Sequence, residues 1–156
     1  MFSSSLRLDY CNNILSGSPK YPIQKLPRVQ NTAERITLRM PRTEHTTPLL
    51  SLLHCLPIPS RIAYKIDSLC HTALTTAYPK YLSEPLNVYT PVWPLRLSLY
   101  PSILNIAAAR TKSHGQRAFV YQGPFNWNRV HGSIRTVEEK DTFKRHLKTT
   151  LFQQNA

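Results

Sequence analysis

Thirteen prolines against four glycines constrain this 156-residue chain more than any other feature. Proline fixes φ and removes a backbone donor, so one inside a helix ends or bends it. Glycine is the residue that enters most easily the left-handed conformation in which many helices close. A chain rich in the first and poor in the second is expected to build short, bent helices rather than long regular ones. Its length suits one domain, able to bury about two-thirds of its unfolded surface.

Hydrophobic periodicity places the helices. Leu6, Tyr10, Ile14 and Leu15 share one face over residues 5–16, which Gly17-Ser18-Pro19 closes. The best amphipathic pattern covers 22–40. Leu26, Val29, Ala33, Ile36 and Met40 recur at spacings of three and four, which predicts a buried face. Lys25, Arg28, Arg35, Arg39 and Arg42 form a second stripe about 100° round the same helix and about 26 Å long. That length suits several successive phosphates, although an ordinary solvated face has the same composition. Pro27 falls inside the pattern, so the helix either starts there or is kinked, at a cost of roughly 3 kcal/mol.

Thr46-Thr47-Pro48 reads as a helix start, a Thr cap with Pro at the first helical position. Leu49, Leu50, Leu52 and Leu53 make it short and apolar, ending before Pro57. Ser60 opens a further helix with Ile62, Ile66, Leu69 and Ala73 inward. Residues 78–82 read as a turn anchored by Tyr78 and Tyr81. Residues 87–101, with Pro91, Trp93, Pro94 and Pro101, read as a Pro-rich linker. Residues 103–107 and 117–121 are expected to pair as a β-hairpin. A short helix over 125–130 carries Trp127. Thr136 and Glu139 form a capping box before Phe143, Leu147 and Leu151 on one face and Lys140, Lys144 and Lys148 beside it. The expected fold is mainly α: short amphipathic helices with one small β-hairpin near 103–121. Residues 1–156 form a single unit with a helical part (1–86), the linker, and a hairpin plus C-terminal helix (102–156).

A formal charge of +12 favours a polyanionic partner, nucleic acid first and an acidic membrane surface second. Cys11, Cys55 and Cys70 are an odd set without a disulfide framework, which fits a reducing compartment. No apolar run reaches the ~18 residues of a membrane span, and the N-terminus lacks the charged and apolar regions of a secretory signal. An intracellular protein, nuclear or cytoplasmic, is expected.

No catalytic pattern is expected either. Polymerase chemistry needs acidic residues gathered around two metal ions. Asp9, Asp67 and Asp141 stand apart in sequence, and the adjacent Glu138 and Glu139 suit a helix N-terminus. His54-Cys55 and Cys70-His71 are adjacent pairs whose side chains diverge by about 100° on a helix, and the usual zinc spacings are absent. There is no nucleophile elbow and no Gly-rich phosphate loop. Trp93, Trp127, Tyr81 and Phe143 have the chemistry to stack on bases, and equally to anchor a core.

The chain resembles the segment that follows the catalytic core in LINE-type (non-LTR) retrotransposon reverse transcriptases. Leu8-Asp9-Tyr10-Cys11-Asn12 with Leu15-Ser16-Gly17 and Pro19-Lys20 is similar to their RLDYCN…LxGLPK block. Arg28-Val29-Gln30-Asn31, Ala33 and Arg35 resemble QRVQNAAAR. Thr47-Pro48-Leu49-Leu50, Leu53-His54, Leu56-Pro57, Arg61-Ile62 and Tyr64-Lys65 resemble TPVLxxLHWLPVxxRIxYK, and Tyr81-Leu82 the PxYL turn. Arg110-Thr111-Lys112, Gly115 and Arg117-Ala118-Phe119 resemble RTKxxGxRAF. Trp127-Asn128, Ser133-Ile134-Arg135, Phe143-Lys144, Leu147-Lys148 and Leu151-Phe152 resemble the closing WNxLPxxIR…FKxxLKxxLF.

The resemblance implies a thumb and C-terminal segment that grips template RNA and primed DNA, with more protein before Met1 and no catalytic residue, metal or cofactor of its own. The candidate contacts to RNA or an RNA–DNA hybrid are Lys25, Arg28, Arg35, Arg39, Arg42, Arg61, Lys65, Arg110, Lys112, Arg117, Lys144 and Lys148. The sequence departs from the pattern at Pro27 (usually Gln), Glu34 (within a small-residue run), Cys55 (usually Trp) and His131-Gly132 (usually Leu-Pro). A lost buried ring costs ~3–5 kcal/mol unless its site repacks. Two other readings stand beside this one: a decayed transposon-derived reading frame without a selected function, and a small basic interaction module co-opted by the host.

Overall fold

The computed structural model describes residues 12–18, 20–91, 102–111 and 114–154. Most of the helix expected over 5–16, most of the Pro-rich linker with Trp93, and Lys112 lie outside them. The fold is mainly α, as expected. Among the described residues there are seven α-helices: α1 (Lys20–Leu38), α2 (Thr46–Leu52), α3 (Ile58–Thr76), α4 (Lys80–Ser83), α5 (Phe119–Trp127), α6 (Gly132–Arg135) and α7 (Lys140–Gln153). Short 3₁₀ turns at Asn12–Leu15 and Gly115–Arg117 complete the set.

Helix α3 is the centre of the fold, because its buried residues recur at helical spacing from end to end: Ile58, Ile62, Ile66, Cys70 and Ala73. Leu69, expected on this face, is half-buried. Helices α5 and α7 pack on α3 with Trp127, Phe143 and Leu147, and α4 with its following loop adds Leu82 and Leu86. Gly123 lets α5 sit close against α3: an added Cβ would lie 3.1 Å from Cys70 Sγ. His71 is buried in the same core, stacked on Phe143 at 4.1 Å between ring centroids. Its Nε2–H donates to the Val137 carbonyl at 2.7 Å, fixing the tautomer.

The expected hairpin does not form. Among the described residues there is no strand, only an isolated antiparallel bridge between Val88 and Leu104. Residues 119–121 are instead the first turn of α5, because Phe119, Gly123 and Trp127 continue the apolar pattern at intervals of four. The extended segment around Leu104 pairs with 87–89 through Tyr89 N–H to the Ile103 carbonyl (2.7 Å) and Asn105 N–H to the Asn87 carbonyl (2.8 Å). Its other edge is held by one side chain. The Asn128 Oδ1 accepts from Leu104 N–H at 2.9 Å, while its Nδ2 donates to the Leu104 carbonyl at 2.8 Å.

Helix α1 runs through Pro27 rather than starting there. Only part of the expected apolar face is buried. Leu26 packs against the core and Ala33 is half-buried, but Val29 (55% exposed), Ile36 (71%) and Met40 (43%) face solvent, while Gln30 and Glu34 are buried. A carbonyl explains the rotation. Leu56, between α2 and α3, presents its oxygen to Gln30 Nε2 (3.1 Å) and to Arg61 Nε (2.7 Å), and Gln30 also donates to Glu34 at 2.8 Å. Burial raises the Glu34 carboxyl above its usual range, while the Gln30 hydrogen bond and the Arg61 charge draw it back. Gln30 therefore ties α1 to Leu56, and Glu34 holds the Gln30 amide in place from the same helix.

Further expectations are corrected. The Thr136–Glu139 capping box is absent. Thr136 ends α6, donating to the Ser133 carbonyl at 3.0 Å, and α7 starts after Glu139. Tyr78 and Tyr81 are 73% and 74% exposed, so Leu82 anchors that turn instead. His45 rather than Thr46 precedes α2, and α3 begins at Ile58 ahead of Ser60, with proline in its first turn. His131 caps α6 through Nδ1, which accepts from the Ser133 backbone N–H at 3.4 Å.

The shortage of glycine shows at the helix ends. Helix α1 closes on Arg39 (φ 53°), α2 on His54 (φ 49°) and α3 on Ala77 (φ 52°). The first two are Schellman closures, with Met40 N–H to the Arg35 carbonyl and Cys55 N–H to the Leu50 carbonyl, both 2.9 Å. A residue with a Cβ costs roughly 1–2 kcal/mol in this conformation. His54 is exposed, so His54→Gly removes strain and little else. Thermal melting of that variant should show a midpoint higher by a few degrees, equivalent to about 1 kcal/mol. A lower midpoint would contradict the assignment.

Candidate nucleic-acid interface

The orientation of α1 decides what its cations can reach. Because Gln30 and Glu34 turn inward, the opposite side of the helix is the solvent side. Lys25, Arg28 and Arg39 are exposed there, and Arg42 is exposed just beyond the helix. Arg35 is half-buried, and its Nη2 donates to the Glu44 carbonyl at 2.9 Å, which ties the end of α1 to the turn before α2. Val29, Ile36 and Met40 lie alongside the cations, so the outward surface carries an apolar stripe beside a basic one.

The other candidate cations are scattered. Arg61 is half-buried and bound to the Leu56 carbonyl, which makes it part of the α1 seam. Lys65 is half-buried on α3 one turn further on. Arg110 is exposed. Arg117 lines a cavity of about 420 Å³ with Ile14, Ser16, Phe119 and Gln122. On α7, Lys144 Nζ lies 3.9 Å from the exposed Asp141, and Lys148 Nζ sits 5.8 Å from the Phe152 ring centroid. The structure thus brings the α1 cations together with Arg42 and uses Arg35 and Arg61 partly as internal ties.

The aromatic candidates are divided by burial. Trp127 and Phe143 are core residues, their rings 5.7 Å apart, and Trp127 Nε1–H donates to the Ser102 carbonyl at 2.7 Å. Tyr81 is exposed. Cys55 and Cys70 are free thiols, and burial raises Cys70 strongly, with the Asp67 charge adding to it. Among the described residues no group of three or more His, Cys, Asp and Glu side chains could hold a metal ion. No described helix is long and apolar enough to cross a membrane.

Sequence reasoning missed one site. Asp67 is buried on α3 and lines a cleft of about 850 Å³ formed with α5, α6 and α7, together with Arg129, His131, Ser133 and His146. Burial pushes its carboxyl up to about 7, against a smaller opposing effect of the Arg129 charge. The available signal was position: Asp67 follows Ile66 and precedes Cys70 by one turn, so it had to turn inward with them.

The geometry defines a mainly α protein with a basic helix surface and a separate carboxyl-floored cleft. No family model, no curated protein and no solved structure matches this chain.

Proposed function

We propose that this chain binds RNA or an RNA–DNA hybrid without catalysing a reaction, as the post-catalytic segment of a LINE-type reverse transcriptase. The observation that carries the reading is the outward stripe of Lys25, Arg28, Arg39 and Arg42. Cations exposed along one side of a helix can each neutralise a phosphate, and each neutralised phosphate releases counterions. The order of resembling blocks from Leu8 to Phe152 supports the family part of the reading. The +12 charge adds long-range attraction to any polyanion.

Binding to single-stranded RNA and to hybrid should weaken linearly on a log–log salt plot. Each Lys or Arg changed to Gln within the stripe should lower the slope's magnitude by ~0.7–0.9. Arg61→Gln should affect stability more than slope, because Arg61 holds the Leu56 carbonyl. A flat salt dependence, or a slope unmoved by the stripe variants, would overturn the reading.

A further inference from the structure

We propose that the cleft between α3 and helices α5–α7 is a nucleotide pocket, in which Asp67 receives the N–H edge of a guanine base and the Arg129 side receives phosphate. The cleft has a volume of about 850 Å³, within the ~300–1,000 Å³ typical of small-molecule sites. Its walls include Val130, Ile134 and Leu147, apolar surface suited to a planar ring. Asp67 is 3% exposed, and its Oδ1 is buried without a hydrogen-bond partner. Buried acceptors are normally satisfied, and one left open in a cleft is a vacant half of an interaction.

The surroundings narrow the ligand. Arg129 is the charge that bears on Asp67, and His131 and His146 line the same cleft. A simple cation would meet Arg129 and a chain of charge +12, so an amine is disfavoured. A simple anion would satisfy Arg129 and oppose the carboxyl. A nucleotide carries both features on one molecule: neutral N–H donors at the base and negative charge at the phosphate. Guanine presents two adjacent N–H donors on one edge, either of which suits the unpartnered Oδ1. The pocket rests on the nucleic-acid reading only for choosing a nucleotide among donor-bearing anions.

The test is an NMR titration of the full chain with guanosine monophosphate, adenosine monophosphate and inorganic phosphate separately. Guanosine monophosphate should produce saturable shifts at Asp67, Arg129 and His146, more tightly than either comparator. Asp67→Asn should weaken its binding roughly tenfold or more, the size of a charge-assisted hydrogen bond. Asp67→Asn is expected to stabilise the fold above neutral pH, so a loss of binding measured there reports on the pocket rather than on unfolding. Equal binding of guanosine monophosphate and phosphate, an unaffected Asp67→Asn, or no saturable shift would each overturn the pocket. RNA binding through α1, followed in parallel, separates the two ideas: stripe variants should lose RNA and keep the nucleotide.

Discussion

Trp127→Ala is expected to remove about 3–5 kcal/mol of stability. Trp127 is 1% exposed and sits where α5 meets α3 and α7, its ring centroid 5.7 Å from Phe143 and 6.4 Å from His71. Its indole N–H is also the partner of the Ser102 carbonyl, so truncation frees that loop beside Leu104. Total stability for a domain of this kind is roughly 5–15 kcal/mol, so the variant should be close to unfolding. Urea denaturation followed by circular dichroism measures the change. Trp127→Phe keeps most of the apolar volume and should lose markedly less. A cost below about 1 kcal/mol for Trp127→Ala would mean that this core is not formed.

Asp67→Asn should stabilise the chain above neutral pH, by up to about 4 kcal/mol, and have little effect near pH 4. Asp67 shifts from an ordinary 3.8 to about 7 in the folded chain, chiefly through burial, with Arg129 opposing. Below 3.8 both states hold the proton and nothing is lost. Between 3.8 and about 7 the unfolded chain releases a proton that the folded chain keeps. The unfolded state therefore binds fewer protons, and stability falls through that window before levelling off above it. Asn carries no such proton, so the difference between variant and wild type should grow with pH. Chemical denaturation at several pH values checks this, and a pH-independent difference would show that the Asp67 carboxyl is solvated. A destabilising group retained in a cleft is the usual cost of a binding site.

Helix existence was legible in the sequence, and inward faces were legible where apolar residues met apolar partners. Ile62, Ile66 and Ala73 on α3, and Phe143 and Leu147 on α7, are buried as their periodicity predicts. The same rule misplaced the inward face of α1 by part of a turn, because periodicity ranks residues by hydrophobicity and is blind to a waiting carbonyl. Gln30 turns inward to reach Leu56, a partner 26 residues away, and Glu34 turns inward beside it to accept from Gln30. The hairpin was misread for a related reason. Residues 117–121 fit a strand when read alone, and only Gly123 and Trp127 beyond them reveal the helical period. Of the candidate site, the charge pattern was legible as a stripe, and its exposure followed from the docking of α1. Arg35 and Arg61 could not be separated from the outward cations without seeing which carbonyls they bind. The Asp67 cleft is built by four helices from distant parts of the chain, so no local pattern announces it.

The outward side of α1 makes ionic strength act in two directions at once. At low salt, the like charges of Lys25, Arg28, Arg39 and Arg42 keep neighbouring molecules apart and shield Val29, Ile36 and Met40 from one another. Salt shortens the reach of that repulsion to about 8 Å at physiological strength and about 3 Å at 1 M. The apolar stripe is then left to govern encounters between molecules. The ionic strength that would release a polyanion from these cations is thus also the condition under which the chain is least colloidally protected.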